Sequence, residues 1–156
     1  MEKILGGLVL INGTDIWTEY GAFLTEERRG GMENLTAILT ASKLKKDTAV
    51  NIREEDGEKY SGVLTPRNEA RDVELHFALY NKTQAGWMRK YLDFIRFLKQ
   101  GRDGWLDIGF PQLGLTLRVK YADSSRFRPL VSLWSEGMPV YASRFRVKFR
   151  EPNPVL

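Results

Sequence analysis

Arg71-Asp72-Val73-Glu74-Leu75-His76-Phe77-Ala78-Leu79-Tyr80, followed by Asn81-Lys82-Thr83 and then by Trp87, Met88, Tyr91, Leu92, Phe94, Ile95 and Leu98, decides the fold of this chain. In the first part Val73, Leu75, Phe77 and Leu79 alternate with Glu74, His76, Ala78 and Tyr80. A period of two places the four apolar side chains on one face of a sheet. From Trp87 the period is helical: Trp87, Tyr91, Phe94, Ile95 and Leu98 share one side, Met88 and Leu92 widen it, and Arg89, Asp93, Arg96 and Gln100 lie opposite. The spacing predicts an amphipathic helix over about residues 83–100, with Asn81 or Thr83 as N-cap and Gly101 as its stop. It is the one convincing helix in the sequence, so a sheet is expected to pack on it.

Upstream, Leu8-Val9-Leu10-Ile11 reads as a short strand and Asn12-Gly13 as a tight turn, since both residues tolerate positive φ. Ile16 to Leu24 is β-prone and broken by Gly21. Thr25 to Asn34 is charged, interrupted by glycine and without period, which predicts a mobile loop that works at an interface. Leu35 to Leu44 reads as another strand, with a short helix as the alternative. Ala49–Arg53 and Tyr60–Leu64 flank Asp56-Gly57 and predict a hairpin with an acidic tip of Glu54, Glu55, Asp56 and Glu58. Those carboxylates lack the spacing of a calcium loop, and a solvated turn is the plainer reading.

Downstream, Trp105–Ile108 is a short strand, and Leu115, Leu117, Val119 and Tyr121 alternate with Thr116, Arg118 and Lys120. Asp123-Ser124-Ser125 is read as a turn, and Phe127–Trp134 as a strand whose Pro129 implies an edge or a bulge. After a turn at Glu136-Gly137, the last strand carries Ser143, Phe145, Val147 and Phe149 on one face and Arg144, Arg146, Lys148 and Arg150 on the other. The expectation is one domain over 1–156 of the α+β, mainly β, class: an antiparallel β-sandwich or barrel of about eight strands with one flanking helix.

Composition removes several chemistries. The 156 residues contain no cysteine and one histidine, His76, so thiolate metal sites, disulfides and cysteine nucleophiles are excluded. No recognised spacing ties His76 to a serine or carboxylate, and no glycine-rich phosphate loop has its motif context. No enzyme, metal or cofactor is expected. No apolar run approaches membrane-spanning length, and the N-terminus lacks the pattern of a signal peptide. The net charge of +4 falls entirely in residues 101–156. That favours a solvated strand face, or else a polyanion partner. The aromatics Phe145 and Phe149 alternate with the basic residues and so point to the core, which weakens a nucleic-acid platform.

The order of these pieces resembles the N-terminal, ring-forming domain of the distal tail proteins of long-tailed bacteriophages. The likeness is carried by Ile11-Asn12-Gly13-Thr14-Asp15-Ile16, Tyr20-Gly21, the strand Arg71–Phe77 running into a helix ending Phe94-Ile95-Arg96-Phe97-Leu98, Trp105–Ile108, and Phe145–Pro152. That fold is similar to those of tail-tube and type VI secretion tube proteins. The resemblance implies a non-catalytic virion structural protein, of a phage or prophage, made in the host cytoplasm. Copies would form a homo-oligomeric ring, usually of six, linking tail tube to baseplate or tail tip beside other tail proteins, with no membrane and no specific nucleic-acid ligand. Family members often carry a second, carbohydrate-binding-like domain, which a chain stopping at Leu156 is not expected to have. Candidate interface residues are Glu26, Glu27, Arg28, Arg29 and Met32 in the loop, Glu54, Glu55 and Asp56 at the hairpin tip, and Arg144, Arg146 and Lys148 on the last strand. In such a ring the acidic tip and the basic face would be complementary across a subunit boundary. The alternative is a nucleic-acid or polyanion binding module using that basic face.

Overall fold

The computed structural model describes residues 6–28, 30–47, 49–51, 53, 55–135 and 138–156, with the backbone alone for 130–135 and 138–140. Seven antiparallel strands among these residues form a sheet of order β2-β1-β5-β6-β7-β4-β3. They are β1 (Leu10–Ile11), β2 (Thr14–Asp15), β3 (Ala22–Leu24), β4 (Arg71–Asn81), β5 (Leu106–Phe110), β6 (Leu115–Ser135) and β7 (Met138–Glu151). Among the described residues three helices interrupt them: α1 (Ile16–Tyr20), α2 (Glu33–Leu39) and α3 (Gln84–Gln100).

The strand β6 organises the sheet by changing partner. Its first residues, Leu115–Val119, pair with β5, and from Lys120 onward it pairs with β7. Ile11, Leu106, Ile108, Leu117 and Val119 from one half and Val73, Leu75, Phe77, Leu79, Phe145, Val147 and Phe149 from the other nevertheless join one buried cluster. The sheet therefore curls around a single core, where the sequence reading had about eight strands in a sandwich or barrel.

The alternation in β4 and β7 is as expected, with Phe77 opposite Phe145 and Val73 opposite Phe149. Helix α3 closes the core. Thr83 is its N-cap, its Oγ1 accepting from Gly86 N at 3.0 Å. Phe94 meets Phe77 edge-on at 5.5 Å, and the indole N–H of Trp87 donates to Ser143 Oγ at 3.2 Å. Met88 and Leu92, expected to widen the buried face, are exposed, because the sheet under α3 reaches only the Trp87–Phe94–Leu98 side. The Asn12-Gly13 turn is a two-residue hairpin loop with φ of 52° and 81°, joining Ile11 to Thr14.

Four expectations need correction. Ile16–Tyr20 is helical, because Asp15 caps it: Oδ1 accepts from Trp17 N at 3.1 Å and Oδ2 from Thr18 Oγ1 at 2.9 Å. Gly21 then ends it in the left-handed conformation before β3. Over Leu35–Leu44 the strand gives way to the stated alternative, a short helix, α2, whose Asn34 and Ile38, one turn apart, share its buried side. The turn predicted at Asp123–Ser125 is a bulged stretch inside β6. The chain does turn back at Asp56-Gly57, with Gly57 at φ 75°, but among the described residues the flanking runs form no strands: they make an open arm held by the isolated antiparallel bridges Leu44↔Asn68 and Val50↔Lys59. Every described residue from 43 to 69 is exposed. The turn expected at Glu136-Gly137 lies outside the described residues. Among the described residues, no helix is long and apolar enough to cross a membrane.

Candidate functional site

A cleft of about 270 Å³ opens on the outer face of the sheet. Its floor is built by three neighbouring strands, with His76 of β4 opposite Arg146 of β7, Arg146 opposite Ser125 of β6, and Arg144 opposite Arg128. Between these pairs β6 takes three steps, Ser125 to Arg128, against two from Arg146 to Arg144 on β7. That bulge is carried by Arg126 at φ 53°. It leaves Arg126 and Arg128 both lining the cleft, while Phe127 packs with Tyr91 of α3 at 4.8 Å.

The wall is the loop after β3. Asn34, buried, holds it to β4: its Nδ2 donates to Thr25 O at 2.6 Å and to His76 O at 3.3 Å, and its Oδ1 accepts from His76 N at 2.7 Å. Thr25 N donates to His76 O at 2.9 Å, and the Asn34 side chain takes the return bond from His76 N that Thr25 O would have accepted had β3 continued. The start of the loop expected to be mobile is thereby fixed over the strand. Glu27 reaches down from it, with Oε1 3.5 Å from both His76 Nδ1 and Arg126 Nη1.

Glu26 and Glu33 meet beside this wall. Among the described residues no partner reaches the buried Oε2 of either. A proton placed between the two carboxyls would satisfy both. The hydrogen bond to Glu33 holds the Glu26 carboxyl above its ordinary range, and the backbone N–H of Glu33 together with the bond from Glu26 holds Glu33 below it.

The basic strand face proves to be divided. Arg150 pairs with Asp72 at 3.0 Å and Arg146 with Glu74 at 3.0 Å, and Lys148 lies opposite Glu74 in register. Acidic residues of β4 thus neutralise one end of the row. At the other end, among the described residues, Arg28, Arg128 and Arg144 have no carboxylate within ion-pair distance.

Of the candidate interface residues, Glu26, Glu27, Arg28, Arg144 and Arg146 line this one cleft. Met32 lies just outside it and is 59% exposed, and Lys148 is exposed farther along β7. Glu55, paired with Lys59 at 2.7 Å, and Asp56 are on the arm, apart from the cleft. Arg29 and Glu54 lie outside the described residues. The sequence reading missed Arg126 and Arg128, because it placed a turn where the bulge is. The signal was there in Arg126-Phe127-Arg128, an aromatic flanked by two charges. Among the described residues no three His, Cys, Asp or Glu side chains gather as a metal site.

No family profile and no curated protein matches the chain. Among solved structures the outcome is different: one matched structure covers 94% of the chain with a TM-score of 0.58 at 17% identity. The chain shares the fold of the Dit protein of phage SPP1. Dit (gp 19.1) is described as a paradigm of the hub adsorption apparatus in phages infecting Gram-positive bacteria. The match takes in 50% of Dit, so the chain spans about half its length. The resemblance to distal tail proteins, drawn from the order of elements, holds at the level of fold.

Proposed function

We propose that this chain is a structural component of a phage or prophage tail, a hub protein whose copies close into a ring between tail tube and baseplate or tip. The observation that carries the reading is the fold shared with Dit over nearly the whole chain. The surface is consistent with it. The cleft is open to solvent, and no metal-binding cluster occurs among the described residues. What the protein offers instead is an exposed arm, two sheet edges at β2 and β3, and a charged cleft beside the β3 edge. Its work is assembly rather than catalysis, its partners are further copies and other tail proteins, and its place is the virion tail.

The interface residues proposed are Glu26, Glu27, Arg28, Arg29 and Met32 around the loop, Glu54, Glu55 and Asp56 on the arm, and Arg144, Arg146 and Lys148 on β7. The test is the mass in solution across a concentration series, with electron microscopy of the largest species. A discrete oligomer with a central opening is expected. A monomer at every concentration, with no ring on the grids, overturns the reading.

A further inference from the structure

We infer that the arginine cleft is the docking site for the acidic arm tip of a second copy of this chain. The inference rests on the self-assembly reading and specifies which surfaces meet. Five arginines against two glutamates line the cleft, and Arg28, Arg128 and Arg144 have no carboxylate partner among the described residues. Like charges held this close repel, and the guanidinium fork suits a carboxylate partner.

The arm supplies one. Asp56 makes no ion pair among the described residues, and Glu58 accepts only from the Tyr60 hydroxyl at 2.6 Å. From the Leu44↔Asn68 bridge to Gly57 there is about a dozen residues of chain on each side, a reach of at most about 40 Å. Since every described residue from 43 to 69 is exposed, the tip is not seated on its own body. The arm also exposes Leu44, Val50, Tyr60, Val63 and Leu64, an apolar content that favours cover by another protein surface.

A nucleic acid fits less well. A phosphate backbone needs a continuous basic track. Here Asp72 and Glu74 interrupt the β7 row, and Glu26 and Glu27 wall the cleft.

The absence of cysteine allows a direct test on the full chain. Glu55→Cys at the tip and Ser125→Cys at the cleft rim leave Asp56, Glu58 and all the arginines in place. Mixed under mild oxidation, the two should form a disulfide-linked heterodimer at least about tenfold faster than Glu55→Cys mixed with Gln112→Cys, because docking raises the local thiol concentration. Adding Arg128→Glu and Arg144→Glu to the Ser125→Cys copy should remove the preference, with an unchanged thermal midpoint showing that the copy is folded. Adding Asp56→Lys and Glu58→Lys to its partner should restore it.

Equal rates with both partners overturn the inference. If light scattering still shows a ring, the ring reading stands with other contacts. If it shows monomer, both readings fall. A preference seen in a protein that remains monomeric upholds the docking and removes the closed ring. Equal rates together with salt-dependent binding of a short labelled DNA, lost in the double arginine variant, assign the cleft to a polyanion and overturn the inference.

Discussion

Arg71, at the start of β4, places its Nε 2.7 Å from Glu151 Oε1 at the end of β7, and both side chains are buried. The same guanidinium donates through Nη1 to the carbonyl of Thr40, just past α2. One ion pair thus ties the first residue of β4, the last residue of β7 and the end of a helix. Removing one partner leaves a buried charge uncompensated. Glu151→Ala is expected to destabilise the domain by about 3–5 kcal/mol, and Arg71→Met with Glu151→Leu to recover most of that loss. Urea unfolding of the single and double variants checks the order.

Asn34→Ala removes three hydrogen bonds to Thr25 and His76 and leaves a carbonyl and an amide unsatisfied under the loop. The expected loss is about 2–3 kcal/mol. Because the damage is local, hydrogen exchange at the His76 amide should accelerate more than exchange at Phe145, in the core. Equal acceleration at both would show that Asn34 serves global packing rather than the loop.

Gly21 sits at φ 66°, and a Cβ there would lie 2.6 Å from the Tyr80 carbonyl oxygen. Gly21→Ala is therefore expected to lower stability by about 2 kcal/mol or more, from the left-handed backbone plus the close approach. A thermal midpoint equal to wild type would place the β3–β4 junction elsewhere.

The Glu26–Glu33 pair gives a pH dependence of known sign. Glu26 is raised, so its contribution is present at low pH and lost as pH rises through its folded value. Glu33 is lowered, so its contribution is present at higher pH and lost as pH falls through its folded value. The pair holds the loop best between the two, around the ordinary carboxylate range, when one proton is shared. Glu26→Gln keeps a donor at every pH. Its unfolding midpoint should therefore fall less than that of wild type as pH rises from the carboxylate range to neutrality. Parallel pH profiles would show that the proton is not shared.

These features differ in how legible they were. Val73, Leu75, Phe77 and Leu79, the Asn12-Gly13 turn and the cap at Thr83 are local signals, each set by neighbours two to four residues away, and the structure keeps them. Helix α2 was ambiguous because Leu35–Leu39 is a short apolar run, and whether it coils or extends is decided by where Ile38 is buried. Arg71–Glu151 and Asn34–His76 join residues far apart in the chain, so no spacing reveals them. The cleft was half legible. Arg144 and Arg146 showed in the alternation of β7, whereas Arg126 and Arg128 depended on a bulge that shifts register by one residue.

The change of partner along β6 has a mechanical meaning. Between Val119 and Lys120 one continuous strand passes from the β5 ladder to the β7 ladder, like a thread sewn through two pieces of cloth. Neither half of the sheet can melt without stripping the shared strand from the other. The domain should come apart in one cooperative step, and a load applied to one end of β6 would be carried as tension into both halves.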